Sequence, residues 1–424
     1  MNQRTDIPLA NQLSARPPLR SAREFLAAAR PSSPVRSLYI HVPFCFHKCH
    51  YCDFYSIVDT QERQGAFVDR LVRELRALAP LAASAPLDTL FVGGGTPTLL
   101  RVELWEHLLR ELPREFDLSR VRAGGGEFTV EANPETLTPE LAGVLRAGGV
   151  NRVSMGAQSF DPRHLKTLER WHDPQSVPRA LDAARGAGIA RVSMDLIFAI
   201  PGQTLEDWGA DLARALALGT DHLSCYNLTY EPGTAMTARQ RRGEFPPPDE
   251  DLEVEMYRLT LGTLRAAGLD RYEVSNYARP GQECTHNLAY WRQHDWLAAG
   301  PSASGHVAGH RWKNAPRLDD YLRGDDAGFA PVVDHEPPDA ARAVRERIMT
   351  GLRLREGLDG AEVLARAGDV LPAGATGAIS DLRRVAARLG ARGWLVDENG
   401  RWRLTDDGML FADRAAAELM ACVG

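Results

Sequence analysis

Between Ser37 and Tyr230 six short apolar runs recur, and segments of helical period separate most of them. The runs are SLYIHV from Ser37, DTLFVGG from Asp88, EFTVEA from Glu127, RVSMGAQ from Arg152, RVSMDLIFAI from Arg191 and HLSCYNLTY from His222. Two of the intervening segments, GAFVDRLVRELRALAPLAA and LEDWGADLARALALG, repeat apolar residues at the three-to-four spacing of a helix face. A strand and helix alternating in this way dictates a parallel sheet with right-handed crossovers. Six units fall short of the eight that close a complete barrel, so the expected fold class is α/β with an open, partial (β/α)6 barrel. In such folds the chemistry sits at the C-terminal ends of the strands, and the sequence places its unusual residues there.

The chain has 424 residues, too many for one ordinary domain. Its 44% hydrophobic and 25% charged content is that of a soluble globular protein. The net charge of −6 leaves no basic footprint, so no nucleic-acid partner is expected. No apolar run approaches the roughly 20 residues that span a bilayer, so no transmembrane segment is expected. Residues 1–36 are rich in Arg, Ala, Pro and Ser and poor in acids. They read as a flexible extension, although a transit peptide has similar composition. Residues 37–280 are expected to form the barrel core and residues 281–424 a second domain. The last eighty residues read as helices followed by RGWLVDENGRWRLTDDG, with Asn399-Gly400 as a tight hairpin turn. Helices plus a two-stranded wing suggest a winged-helix-like unit. Residues 381–424 hold seven Arg against seven Asp or Glu, so a structural or lid role is expected there rather than phosphate binding.

Three of the six cysteines, Cys45, Cys49 and Cys52, fall within eight residues, directly after the first strand. Clustered thiols outside a disulfide scaffold point to metal or redox chemistry. Zinc wants four closed ligands, which His47 or His50 could complete. A [4Fe–4S] cluster takes thiolates on its irons and would keep one iron open to a small molecule. The remaining cysteines, Cys225, Cys284 and Cys422, are isolated and give no second pair for a zinc ribbon. Tyr39, Phe44, Tyr51 and Phe54 flank the loop and would shield a cluster. The second strand ends in FVGGGTPT, where no Gly-Lys-Ser/Thr follows to make a phosphate loop. Bare backbone at Gly94, Gly95 and Thr96 would let carbonyls approach a cation. Glu131, Gln158, Arg170 and Asp195 sit at or just beyond later strands, where buried charge needs partners. The partners are either one another or a ligand carrying a ribose, an amine and a carboxylate.

Cys-x3-Cys-x2-Cys at the first strand of a partial barrel resembles the radical S-adenosylmethionine (SAM) superfamily. YIHVPFC, YCDF, GGGTPT, VEANPE, GAQSF and DLIFAIPGQT together resemble its coproporphyrinogen III oxidase-like family. The resemblance implies that Cys45, Cys49 and Cys52 hold a [4Fe–4S] cluster and that SAM occupies the open iron. It implies SAM contacts from Tyr39, Gly94, Gly95, Thr96, Glu131, Gln158, Arg170 and Asp195, with Phe54 beside them. It also implies an electron donor for the cluster. Two features separate the family's branches. The oxidases resemble Cys-x3-Cys-x2-Cys-x-Cys, whereas Phe54 stands at the fourth cysteine here. HNLAYW, residues 286–291, is similar to the signature of the haem-chaperone branch, HemW. That implies a haem site built from His286, Asn287, Tyr290 and Trp291, with Cys284 or His294 as other candidates for the iron. The plain alternative is that these aromatics pack and His286 only hydrogen-bonds. AAGPSASGHV, residues 298–307, is assigned no role. The expected function is haem delivery to apo-haemoproteins such as respiratory enzymes. The expected location is the cytoplasm, with membrane contact only through partners. Oxidative decarboxylation of coproporphyrinogen III is the alternative, and a zinc module is the third reading.

Overall fold

The computed structural model describes residues 19–247, 249–370 and 376–423. Its strands are β1 Arg20–Ser21, β2 Ser37–Val42, β3 Thr89–Gly94, β4 Glu127–Ala132, β5 Arg152–Gln158, β6 Arg191–Phe198, β7 His222–Asn227, β8 Asp270–Arg271, β9 Asn276–Ala278, β10 Trp296–Ala299, β11 Ser304–Val307, β12 His310–Asn314, β13 Pro331–Glu336, β14 Leu358–Asp359, β15 Leu395–Glu398 and β16 Arg401–Leu404. The first thirteen form one sheet in the order β1-β13-β12-β11-β10-β2-β3-β4-β5-β6-β7-β9-β8. Seven neighbours from β10 through β2 to β7 run parallel. The order ends at β1 and β8 without closing, so the barrel is partial, as expected.

Along each of β2 to β6 every second side chain is apolar and points to the same face of the sheet. Leu38, Ile40, Leu90, Val92, Phe128, Val130, Val153 and Met155 are all completely buried. Helix Gln64–Leu78 covers one face with Phe67, Leu71, Leu75 and Leu78, spaced for one helical stripe. Helix Leu205–Ala217 starts in a capping box between Thr204 and Asp207 and buries Trp208, Leu212 and Ala215.

Two expectations need correction. Residues 1–18 lie outside the described residues, but residues 20–35 are not a flexible extension. β1 pairs with Val332 and Pro331 of β13, and Phe25, Leu26 and Val35 are buried. Phe25 stacks on His335 at 3.9 Å. The segment covers a sheet edge that would otherwise expose unpaired backbone. A domain limit at residue 280 also fails. β10 pairs in parallel with β2, and β11 to β13 extend the same sheet to Glu336. A separate core begins only at Val344 and runs to Val423. It joins five α-helices to the sheet β14-β16-β15. Asn399 (φ 55) and Gly400 (φ 84) make the two-residue turn between β15 and β16, both left-handed as a type I′ turn requires. The helical, winged-helix-like C-terminal unit is as expected.

Candidate active site

A cavity of about 780 Å³ opens at the C-terminal ends of the parallel strands. Cys45, Cys49 and Cys52, from the loop after β2, line it together with Phe54, Gly94, Gly95, Thr96, Glu131, Gln158, Arg170 and Asp195. Residues from six sequence segments therefore converge on one cavity.

Tight backbone packing holds the cysteine loop against the glycine loop. Gly95 N–H donates to the Val42 carbonyl at 2.8 Å and Thr96 N–H to the Phe44 carbonyl at 2.7 Å. Gly94 has φ +110, and a Cβ there would lie 2.5 Å from the His41 ring, so only glycine fits. Thr96 Oγ1 lies 3.6 Å from Cys45 Sγ. Arg170 links three pieces of the site: Nη1 faces Cys49 Sγ at 3.7 Å, Nη2 donates to the Gly156 carbonyl at 2.8 Å and Nε donates to His172 Nδ1 at 3.2 Å. Gln158 ends β5 at φ +65, where the register with β6 breaks, a local bulge of the kind found beside active sites.

Two of the carboxyls that line the cavity, Glu131 and Asp195, stand on the strands themselves. Glu131 accepts from Gly94 N–H at 3.0 Å. Burial, and then the neighbouring Asp195, push its carboxyl up to about 7. Burial also raises Asp195, which accepts from Ser154 Oγ at 3.3 Å. The sign for Glu131 is fixed. Its folded value lies above the usual 4.5, so its contribution to stability is full below pH 4.5 and is lost as pH rises through about 7. The ligand-free protein is expected to lose stability over that window, and Glu131→Gln to flatten the loss, as urea midpoints at several pH values would show. An unchanged slope in the variant would contradict this assignment.

The donor set fits a polynuclear iron–sulfur centre better than zinc. A tetrahedral zinc with Zn–S bonds of about 2.3 Å would draw its sulfurs to roughly 3.8 Å apart. The three cysteine sulfurs do not all lie within 4.8 Å of one another. The imidazoles that would complete a zinc site are turned elsewhere. His47 stacks on Trp171 at 4.1 Å, and His50 Nδ1 lies 3.2 Å from Arg239 Nη1. Burial pushes the Cys52 thiol up to about 11 and raises Cys45 as well, so metal binding must release protons.

Tyr39 does not line the cavity. Its hydroxyl meets His41 Nδ1 at 3.0 Å, and its ring sits 6.2 Å from Phe91. His286, Asn287, Tyr290 and Trp291 lie at the other end of the strands. Helix Thr285–Trp291 packs on the first residues of β3 and β4. Five residue steps along β3 separate Thr89 from Gly94, roughly 16 Å along a strand. His286 is 1% exposed, with Nδ1 at 2.8 Å from Thr89 Oγ1 and Nε2 at 2.7 Å from Tyr290 OH. Burial holds its ring well below the usual range, at about 4, so it is neutral. Both nitrogens are used, so His286 would have to give up Thr89 Oγ1 or Tyr290 OH to ligate an iron. Asn287 Nδ2 donates to Tyr272 OH at 3.4 Å, Tyr290 meets Trp296 edge-on at 4.7 Å, and Trp291 Nε1 is buried without a partner. Cys284 is also committed, donating to Glu127 Oε1 at 3.3 Å.

Sequence reasoning missed Ser154, Trp171, His172 and Tyr226, which line the same cavity. For Ser154 a signal existed. The tetrapeptide Arg-Val-Ser-Met occurs at 152–155 and 191–194 and pairs with itself in register, bringing Ser154 Oγ 2.8 Å from Ser193 Oγ.

Comparison with known proteins agrees with this geometry. The model of the Radical SAM superfamily matches residues 39–215, and that of the HemN C-terminal domain matches residues 339–411. The chain is 39% identical over 397 residues to the heme chaperone HemW of Mycobacterium tuberculosis (strain H37Rv), covering 93% of this chain and 96% of that protein. It is 34% identical over 385 residues to the heme chaperone HemW of Escherichia coli K12, covering 89% and 96%. The solved structure of coproporphyrinogen III oxidase (HemN) from Escherichia coli, a radical SAM enzyme, superposes with a TM-score of 0.78 at 25% identity, over 93% of this chain and 92% of that one. No helix among the described residues is long and apolar enough to cross a membrane. With its cysteine loop, its open parallel barrel and relatives that match it nearly end to end, the chain belongs to the radical SAM superfamily and, within the coproporphyrinogen III oxidase-like family, to the HemW haem chaperones.

Proposed function

We propose that this protein binds haem together with a SAM-ligated [4Fe–4S] cluster and passes the haem to apo-haemoproteins. The observation that carries the reading is the convergence of Cys45, Cys49 and Cys52 on one cavity whose loop ends in Phe54 rather than a fourth cysteine. The three thiolates would hold the cluster. When bound, it supplies a low-potential electron and an open iron for the amino and carboxylate groups of SAM. The chain's own residues bind and orient. Gly94, Gly95 and Thr96 offer backbone carbonyls to an ammonium group. Glu131 and Asp195 offer acceptors for hydroxyls, and Gln158 and Arg170 offer donors for an anion. The half-enclosed cavity excludes bulk water from these contacts. An electron donor is required for the cluster, and the haem acceptors, respiratory enzymes among them, are reached in the cytoplasm or at a membrane through partners.

One observation favours a second reading. The fold superposes closely on an enzyme that oxidises coproporphyrinogen III. Anaerobically reconstituted protein given coproporphyrinogen III, SAM and a low-potential reductant separates the two. The expected result is no protoporphyrinogen and a haemin-dependent Soret band. Sustained porphyrin turnover would make the protein an oxidase.

A further inference from the structure

Helix Pro162–Thr167 ends in a left-handed turn at Glu169 (φ +53), closed by a bond from Arg170 N–H to the Leu165 carbonyl at 2.8 Å. Arg170 and His172 follow it into the wall of the cysteine cavity, and Trp171 between them stays 65% exposed. The alternation sets positions i and i+2 side by side, as along a strand.

One bond joins the two. Arg170 Nε donates to His172 Nδ1 at 3.2 Å. An arginine has only donors, so Nδ1 is the acceptor and the ring proton sits on Nε2. That N–H is buried without a partner, which costs free energy. The bond to Arg170 is the one hydrogen bond of the His172 side chain among the described residues. The polar chemistry of the ring is therefore committed to Arg170.

Charge explains why an imidazole suits this place. Burial, and then Arg170, hold the His172 ring down at about 4, so it is neutral. A neutral acceptor orients a guanidinium without cancelling its charge, whereas a carboxylate would do both. Glu169, the carboxylate next in the chain, is held instead by Trp171 Nε1 at 3.0 Å. The other bonds of Arg170 go to the Gly156 carbonyl and to Cys49 Sγ. One N–H on each terminal nitrogen stays available to an anion.

Resting on the reading of this cavity as a cluster and SAM site, we infer that His172 is a positioning residue: its Nδ1 aims the Arg170 guanidinium, with its charge intact, at the Cys49 thiolate and at the SAM carboxylate. A donor and a positive charge beside a cluster sulfur favour the reduced, more negative state and raise its potential. Releasing Nε frees a long side chain to leave both targets.

The test uses the full chain, anaerobically reconstituted, with iron and sulfide assayed in every variant. The cluster potential without SAM is read by a redox titration followed by electron paramagnetic resonance, and the SAM Kd by equilibrium binding. His172→Leu and His172→Gln both remove the acceptor at the δ position. Each should lower the one-electron reduction equilibrium about threefold to tenfold, or about 30–60 mV. Each should also weaken SAM binding about tenfold, with iron and sulfide unchanged. His172→Asn puts an amide oxygen where Nδ1 stood and should restore both quantities. In an Arg170→Ala background, His172→Gln should change neither further. Wild-type potential and SAM affinity in His172→Leu and His172→Gln would overturn the assignment. So would a His172→Asn protein that behaves like His172→Leu, because ring bulk rather than Nδ1 would then matter. Loss of cluster iron in His172→Gln would overturn it too, since His172 would then support the cysteine loop itself. A wild type that holds no iron and sulfide, or binds no SAM, would sink the cluster and SAM reading before His172 is in question.

Discussion

Cys49→Ala protein, anaerobically reconstituted, is expected to purify colourless, with the iron and labile sulfide of the wild type gone. Three thiols line this cavity, and none of the others can step in. Cys225 is buried on β7, Cys284 is bonded to Glu127 at the far end of the strands, and Cys422 packs on the C-terminal core. The thiolate is the ligand, so its loss removes one of three anchors. The fold should not notice. The Cys49 thiol is half-exposed and meets only the Tyr51 hydroxyl and, at 3.7 Å, the Arg170 guanidinium among polar side chains, so thermal unfolding should move by no more than about 1 kcal/mol. Iron and sulfide assays beside a circular-dichroism melt make the check. A variant that kept its iron would mean that His47 or His50 completes the site, and would revive a single-metal centre.

The strands of the core were legible to within a residue or two, for a physical reason. A strand with one wholly apolar face reads as a period-two alternation, as SLYIHV and EFTVEA do, and β2, β4 and β5 begin and end where those runs do. The cavity residues were legible because chemistry in a parallel sheet has one address, the C-terminal strand ends. The sheet beyond residue 280 was not. β10 is four residues, WLAA, and its pairing with β2 is specified by tertiary packing rather than by any local period. The N-terminal segment was misjudged because composition averages over thirty-six residues, whereas a few buried residues, Phe25, Leu26 and Val35 among them, and the pairing of β1 anchor it. The surroundings of His286 were not legible for another reason. Residue types in HNLAYW say what a ligand set could be, but not at which end of the barrel the helix docks or whether both ring nitrogens are already used.

That docking sets the second large effect. Glu127→Ala should destabilise the barrel by about 3–5 kcal/mol, the usual cost of removing one partner from a buried ionic cluster. Glu127 is 1% exposed. It pairs with Arg191 Nη2 at 3.2 Å and accepts from the N–H groups of Thr285 and His286 at 3.0 and 3.3 Å. Burial alone would raise its carboxyl, but Arg152, Arg191 and these two N–H groups outweigh burial and hold it below the usual 4.5. Alanine would leave Arg152, 3% exposed, and Arg191 without that counter-charge, and would uncap the helix that carries His286. Glu127→Gln keeps an acceptor for the N–H groups and should lose less. The pH signature separates this carboxylate from Glu131. With a lowered folded value, Glu127 contributes stability that is present above pH 4.5 and lost as pH falls, opposite in sign to the Glu131 window. Urea midpoints at neutral and acid pH should therefore show a large deficit in Glu127→Ala near pH 7 that narrows on acidification. A deficit below about 1 kcal/mol at neutral pH would mean that water reaches the two arginines and that this end of the barrel is open.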